Sequence, residues 1–317
     1  MKGLEKLVFS LFDQKEEREG FMKVLAHPLP SSLALLWLKQ KPSPLPFPME
    51  PFLFPEIDFV SLVSSDVKPG KNPLHDQGTY YCLDASSVFA ASVLTAISRQ
   101  VKIIIDGCAS PGGKALFAWK YFKPQFLLAN EVVKSRLMAL MSNLKRCSVN
   151  PSAVSSFDPK VLANHFESLA DVVIADVPCS GQSLLVKGTR VPGCFNPLVV
   201  KKNFLRQRRV ISELARLVVA GGYLAYMTCT FSREENEGII EWFLKHNPTF
   251  HPVEVSLLKN YQSHLTSLPC YRLWPHRNSG AGAFTCLLQK EGGVIEDIDS
   301  RLAVFKDLKY PWSSYGA

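Results

Sequence analysis

From about residue 85 the chain alternates between two hydrophobic periods. Over 85–97, Val88, Phe89, Val93, Leu94 and Ile97 share one helical face, and a β-branched run over 101–105 follows and ends at Asp106. Short apolar runs at 126–129, 171–175 and 223–227 predict further strands, while helical spacing predicts helices over 114–122, 133–146 and 200–219. Strands alternating with helices predict an α/β domain whose mostly parallel sheet is covered on both faces. Such sheets bind ligands beyond the carboxyl ends of their strands. The residues just after each predicted strand are therefore where chemistry is expected.

Ahead of residue 85 the pattern differs. Residues 1 to about 40 read as helical, beginning with Leu4, Leu7, Val8, Leu11 and Phe12 at helical spacing. Pro42, Pro44, Pro46, Pro48, Pro51 and Pro55 then read as a stiff linker. Asp13, Glu16 and Glu17 stand where a signal peptide needs a small-residue cleavage site, so no secretory leader is expected. The expected division is an N-terminal helical and Pro-rich appendage over 1–73, a catalytic domain over 74–290 and a C-terminal tail over 291–317.

Length and composition narrow the class. A chain of 317 residues holds one α/β domain with something smaller beside it. With 47% hydrophobic and 20% charged residues and no apolar run near the roughly 18 residues of a membrane span, it reads as soluble, with no membrane partner. Eight scattered cysteines without a CxxC pair exclude a small disulfide scaffold and argue against a zinc site. No metal is expected, and a reducing, cytoplasmic setting is. The net charge of +8 suits a polyanionic partner, though charge alone does not identify one.

The loop after the first strand of the domain runs Asp106-Gly107-Cys108-Ala109-Ser110-Pro111-Gly112-Gly113-Lys114 into a helix. It fails the phosphate-binding pattern, because Lys114 follows paired glycines and is followed by Ala115, and it fails the dinucleotide G-x-G-x-x-G spacing as well. A cofactor with an adenosine and no phosphates fits what remains. The next strand ends in Asn130-Glu131, where a carboxylate is placed to accept two ribose hydroxyls. A plain tight turn with a surface glutamate is the competing reading.

Two further strand ends carry thiols. The 171–175 strand runs into Asp176-Val177-Pro178-Cys179-Ser180-Gly181, and the 223–227 strand into Thr228-Cys229-Thr230. A lone cysteine is more often a small buried hydrophobe than a nucleophile. Two at equivalent strand ends, one beside Asp and Pro and one between threonines, shift that balance.

With these motifs the chain resembles the Sun or RsmB-like family of RNA cytosine-5 methyltransferases. The likeness covers roughly 78–290 and rests on Cys108 to Lys114, Asp176 to Gly181, Gly221-Gly222 and Tyr226 to Thr230, with D-x-P-C-S-G and T-C-T spaced 50 residues apart. The resemblance implies a class I, Rossmann-like S-adenosylmethionine-dependent methyltransferase sheet with a small N-terminal appendage. It implies that Cys108, Ala109, Ser110, Pro111, Gly112, Gly113 and Lys114 cradle S-adenosylmethionine, that Glu131 holds its ribose, and that Asp158 sits near the adenine. Arg136 and Asp176 join that cofactor set. Asp176 would also bind the cytosine, Cys229 attack it, and Cys179 assist release. Leu205-Arg206-Gln207 and Arg272 to His276 look like family segments flanking the site.

Departures are visible too. Leu83 stands where the family has Gln before an acidic residue, Met227 replaces a small residue, and Gly282-Ala283-Phe284 dilutes an acidic-Gly-Phe-Phe segment. The stretch from Leu29-Pro30-Ser31-Ser32 to Lys39 only faintly echoes the family's N-terminal RNA-binding subdomain and lacks its Arg-x-Asn core.

The chemistry explains the residue types. Carbon 5 of cytosine is too weak a nucleophile to take a methyl group directly, so a thiolate adds at carbon 6 and makes the ring an enamine. That thiol must ionise, Asp176 would donate a proton to the ring if a dry pocket raised its pKa, and the base must be unstacked to enter. Lys202, Arg206, Arg209 and Arg216 share one face of the 200–219 helix, suiting either solvent or phosphates. Lys187, Arg190 and Arg206 are the expected RNA contacts, with Tyr80, Tyr81, His75 and His276 as possible stacking surfaces. The expected protein is a monomeric methyltransferase acting on ribosomal or transfer RNA. Its rivals are a silent RNA-binding factor that keeps the fold, and a DNA cytosine methyltransferase, in which the Pro-Cys thiol attacks.

Overall fold

The computed structural model of the chain describes residues 2–28, 32–278, 280–293, 297–306 and 308–314. Helices α1 (Lys2–Leu11) and α2 (Lys15–Ala26) open the chain. A small antiparallel sheet follows, made of β1 (Leu33–Trp37), β2 (Met49–Glu50), β3 (Val60–Val63) and, after the one-turn helix α3 (Pro73–Asp76), β4 (Tyr80–Asp84). Its strand order is β2-β3-β1-β4. Here the structure departs from the helical reading of the first 40 residues. A five-residue apolar run has no decisive period of its own. Pairing with β3 on one side and β4 on the other makes Leu33–Trp37 a strand. Leu35 and Trp37 pack with Val63 and Tyr80 on one face, while Ala34 and Leu36 join the main core on the other. The proline-rich run connects β1 to β3 and contributes β2 within it, so it belongs to this sheet. Of the segment compared with an RNA-binding subdomain, Leu29, Pro30 and Ser31 lie outside the described residues.

The large domain runs α4 (Ala85–Ala91), β5 (Ile103–Asp106), α5 (Gly113–Phe122), β6 (Phe126–Asn130), α6 (Lys134–Arg146), β7 (Ser152–Ser155), α7 (Pro159–His165), β8 (Ala170–Asp176), α8 (Pro197–Arg216), β9 (Val218–Thr228), α9 (Glu237–His246), β10 (Phe250–Pro252), β11 (Cys270–Leu273) and β12 (Ala283–Lys290); the hydrophobic pattern predicts α4 to α6, β8, α8 and β9, and the structure adds β7, α7 and the elements from α9 to β12. After Lys290 the chain adds α10 (Ile298–Lys306) and β13 (Trp312–Ser313), which pairs with β7. The strand order is β10-β12-β9-β8-β5-β6-β7-β13, with β11 on β12. β5 through β9 are mutually parallel, and β12 runs antiparallel to β9. This is the class I, Rossmann-like α/β sheet expected of the chain.

Parallel strands buried on both faces need apolar residues at consecutive positions. Ile103 and Ile105 pack with Leu162 of α7, Ile211 and Leu214 of α8, Phe243 of α9 and Phe305 of α10. Ile104 packs on the opposite face with Phe89 of α4, Phe117 of α5 and Leu140 of α6. Strand order reverses between β5 and β8, since β6 and β7 lie to one side and β9 to the other. That switch point is where such a sheet opens a crevice for a ligand.

The N-terminal helices are tied to this end of the sheet. Val8, Leu11, Phe12 and Phe21 pack with Val186, Phe231, Trp274 and Ala281, which lie on the segments beyond β8, β9 and β11. Glu17 accepts hydrogen bonds from His276 Nε2 at 2.6 Å and from Arg277 Nε at 2.9 Å. His276 is thus engaged with α2 and not presented as a stacking surface, and Tyr80 is fully buried, donating to the Pro69 carbonyl.

Candidate active site

Asp106, Asn130, Asp176 and Thr228 end four neighbouring strands and bring their following loops together. Asn130 is fully buried and organises the floor. Its Nδ2 donates to the carbonyls of Gly107 and Phe157, and its Oδ1 accepts from Ser155 Oγ and Phe157 N, so one amide joins the loops after β5, β6 and β7. The sequence marked the neighbouring Glu131 and passed over this residue. Asp106 Oδ1 accepts from Cys108 N at 3.2 Å, while its buried Oδ2 has no partner among the described residues. Burial, then the Asp176 charge, pushes the Asp106 carboxyl up to about 8.

A cavity of about 520 Å³ opens over these loops, lined among others by Cys108, Glu131, Arg136, Asp158, Asp176 and Cys229. Glu131 accepts from Val133 N at 2.8 Å and stands 3.4 Å from the Arg136 guanidinium, which also donates to the Ser110 carbonyl. Val132 and Val133 are about half exposed along the same wall and offer it an apolar surface. Asp158 caps α7 by accepting from Lys160 N and pairs with Arg209. An adjoining cavity of about 180 Å³ shares Asp176 and is lined by Ala109, Pro111, Gly113, Lys114, Asp84 and Lys187. The loop residues are therefore divided: Cys108 faces the larger space, and Ala109, Pro111, Gly113 and Lys114 the smaller. Ser110 and Gly112 line neither. Gly112 has φ +117° at the start of α5, a turn that a side chain would strain.

Lys114 Nζ donates to Asp176 Oδ2 at 2.6 Å. Burial opposes the charge on Lys114, yet the Asp176 carboxylate overrides it and holds the ammonium above its ordinary range. Asp176 therefore sits in an ion pair and lines both cavities.

The two sulfurs meet. Cys179 Sγ and Cys229 Sγ are 3.3 Å apart, and both residues are free and partly exposed. The hydrogen bond between them favours a thiolate on Cys229 and a thiol on Cys179. It holds Cys229 below the usual thiol range against the opposing effect of burial, and it raises Cys179 well above that range. Around the pair lies a buried polar network that the sequence did not signal. Glu235 Oε1 accepts from Ser180 N and Gln207 Nε2, Glu235 Oε2 accepts from Ser180 Oγ, and Gln207 also donates to the Pro178 carbonyl. In the run Arg-Glu-Glu-Asn-Glu ahead of α9, nothing distinguishes Glu235 and Asn236 from a solvated helix start.

The expected RNA contacts separate. Arg206 is exposed at the rim of the larger cavity, Lys187 pairs with Asp84 at 2.9 Å, and Arg190 is exposed and lines neither cavity. On α8, Arg209 is taken by Asp158 and Arg216 by Glu167 and Glu213, leaving Lys202 and Arg206 as the outward cations of the predicted basic face. Among the described residues no cluster of ligating side chains suits a metal ion, and no helix is long and apolar enough to cross a membrane.

Residues 93–289 match the model of the family described as 16S rRNA methyltransferase RsmB/F. The chain is 30% identical over 261 residues to ribosomal RNA small subunit methyltransferase F of Shewanella amazonensis, covering 81% of this chain and 56% of that protein. It is 28% identical over 230 residues to the protein of that name from Klebsiella pneumoniae, covering 71% and 48%. The chain thus spans about half the length of the curated relatives it matches. Among solved structures, NSun6 from Pyrococcus horikoshii, solved with SFG, superposes with a TM-score of 0.74 at 19% identity, covering 92% of this chain and 99% of that one. A methyltransferase homolog protein from the same organism gives 0.71 at 21% identity, covering 91% and 98%. At such identities these two likenesses speak for the fold.

Proposed function

The chain belongs to the RsmB/F family of 16S rRNA methyltransferases, and from that premise we propose that it transfers a methyl group from S-adenosylmethionine to carbon 5 of a cytosine in RNA, with Cys229 as nucleophile. The observation that carries this reading is the pair of sulfurs 3.3 Å apart, polarised toward a Cys229 thiolate, at the edge of a cavity that Glu131 and Asp176 also line.

The residues present fit the cofactor. Glu131 offers a carboxylate to ribose hydroxyls, and Val132 and Val133 an apolar wall to an adenine. When bound there, S-adenosylmethionine supplies an electrophilic methyl group. Cys229 Sγ adds to carbon 6 of the cytosine, and the displaced electron pair makes carbon 5 nucleophilic. Asp176 accepts from the exocyclic amino group, and Lys114, held protonated beside it, supplies the hydrogen-bond donor that the sequence reading gave to Asp176. After transfer, a water beside Cys179 takes the carbon 5 proton, that C–H electron pair becomes the carbon 5–carbon 6 double bond, and Cys229 leaves carbon 6 as the thiolate, accepting a hydrogen bond from the Cys179 thiol. The chain acts as a monomer in the cytoplasm, on a ribosomal or transfer RNA whose target base is unstacked.

The test is methyl transfer from labelled S-adenosylmethionine to a pool of cellular RNA, with bisulfite sequencing to locate the product. A new 5-methylcytosine that depends on Cys229 is the expected result. Absence of any methylation across an unfractionated pool would sink the reading in favour of a silent RNA-binding factor.

A further inference from the structure

Two consecutive residues reach from the start of α9 to both thiol-bearing loops. Glu235 holds the Cys179 loop: its carboxylate accepts from Ser180 N at 2.8 Å and Ser180 Oγ at 2.6 Å, and Gln207 links it to the Pro178 carbonyl. Asn236 holds the Cys229 loop: its Oδ1 accepts from Thr228 Oγ1 at 2.5 Å, and its Nδ2 donates to the Thr230 carbonyl at 2.9 Å. The residues on either side of each cysteine are thereby fixed. A cross-link joins the two halves, because Ser180 Oγ and Thr230 Oγ1 are 2.6 Å apart. With the Ser180 proton directed to Glu235, Thr230 is the donor in that contact. Glu235 and Asn236 are both fully buried, and Tyr226 Oη anchors the Glu235 carbonyl at 2.8 Å.

We propose that Glu235 and Asn236 form a positioning pair that fixes the sulfur–sulfur separation and decides which of the two thiols carries the proton. The inference rests on the methyltransferase reading only for what the thiols then do. Its geometry follows from the backbone: adjacent residues diverge by a few ångströms, and each grips one loop, so the loops cannot shift independently. Its electrostatics point the same way. The Glu235 charge lies on the Cys179 side and disfavours a second negative charge there, adding to the hydrogen bond that Cys179 donates to Cys229 and to burial in keeping Cys179 a thiol. Neither residue lines the cavities, so neither touches cofactor or base. Their role is exerted through the cysteines.

Alkylation tests this without RNA or cofactor, since iodoacetamide reacts with the thiolate and releases iodide. Full-length protein is labelled briefly at neutral pH, and the modification at each cysteine is measured by peptide mass spectrometry. In the wild type, Cys229 is expected to label at least about tenfold faster than Cys179, corresponding to about one pK unit or more between them. Glu235→Gln keeps the shape and removes the charge, and should narrow that ratio to about threefold or less while the thermal midpoint stays within a few degrees. Asn236→Ala should narrow it also, and Thr230→Val, which cuts only the cross-link, should do so partially. Equal labelling in the wild type, or an undiminished preference in a folded Glu235→Gln protein, overturns the proposal; should Asn236→Ala fail to fold, the Glu235→Gln result alone decides. Selective labelling that Glu235→Gln abolishes, in a chain whose wild type methylates no RNA, supports the positioning pair and removes the methyltransferase reading, so the two fail separately.

Discussion

Lys114 Nζ and Asp176 Oδ2, 2.6 Å apart, span the point where the strand order of the main sheet reverses. Lys114 starts α5 just after the glycine turn, and Asp176 ends β8, so the pair bridges the smaller cavity and stands beside the thiols. After the Cys179 hydrogen bond, which contributes most, the Lys114 ammonium is a further influence lowering Cys229, while burial and Asp176 oppose it.

Replacing Lys114 with methionine should therefore make Cys229 harder to ionise. A thiolate is populated above the thiol's pKa, and removing a cation raises that pKa. The rate of Cys229 alkylation should move to higher pH by about one unit, and at fixed neutral pH it should fall by up to tenfold. Methyl transfer should fall further, by about a hundredfold, because the hydrogen-bond donor to the ring is lost as well. An alkylation profile that does not move would remove Lys114 from the electrostatics of Cys229.

Arg272 and Glu237 form an ion pair that is closed to solvent, with Arg272 Nη2 at 2.5 Å from Glu237 Oε2. Ser263 Oγ donates to the same carboxylate, and Arg272 Nη1 donates to the Phe231 carbonyl just beyond Thr230. Burial opposes the charge on Glu237, and Arg272 overrides it, holding the carboxyl below its ordinary range. Arg272→Leu strands a buried carboxylate and should cost about 3–5 kcal/mol. The double variant Arg272→Leu with Glu237→Leu should recover part of that loss. Denaturant unfolding checks both, and a single variant as stable as the wild type would contradict the pairing.

The sheet was legible because its strands are short β-branched or apolar runs between helices of a different period. Ile103 to Ile105 and Val172 to Ile174 admit little else. The first strands were hidden: Leu33–Trp37 is too short to show a period, and only its pairing with β3 and β4 makes it a strand. At the site, the places of Cys179, Cys229, Asp176 and Glu131 just at or after strand ends, and of Lys114 at the start of the helix after β5, could be read. What holds them could not. Asn130, Glu235 and Asn236 act through hydrogen bonds to other loops, and in the sequence a buried amide or carboxylate reads the same as a solvated one until the loops it joins are seen. On the basic face of α8, left open between solvent and phosphates, spacing cannot reveal that Asp158 and Glu167 already pair with Arg209 and Arg216.

That neutralisation predicts which cations bind RNA. Arg206→Ala should weaken RNA binding by about threefold to tenfold with little change in sequence preference, and should reduce the slope of log affinity against log salt by about one. Arg216→Ala should leave both nearly unchanged, because its charge is spent on Glu167 and Glu213. Filter binding across a salt series measures each. Equal losses in the two variants would mean that the surface ion pairs open on binding.

The last prediction separates the two thiols by the order of events. The contact between the sulfurs lowers Cys229 and raises Cys179, so Cys229 is the easier of the two to ionise; addition to carbon 6 is assigned to it and the later proton movement to the Cys179 side. Cys229→Ala should abolish methyl transfer and leave no covalent protein–RNA species. Cys179→Ala should still add to the base and methylate it, but should stall before release, giving a complex with RNA that survives denaturing electrophoresis. It should also raise the pKa of Cys229 by removing its hydrogen-bond donor, so the stalled complex should accumulate faster at higher pH. That pH dependence follows from the 3.3 Å contact and from nothing in the motif pattern. Both variants are run with S-adenosylmethionine on the unfractionated RNA pool that the wild type methylates, so that a suitable cytosine is present. An adduct that persists in Cys229→Ala and vanishes in Cys179→Ala would reverse the roles and assign attack to the Pro-Cys thiol, as in the DNA enzymes.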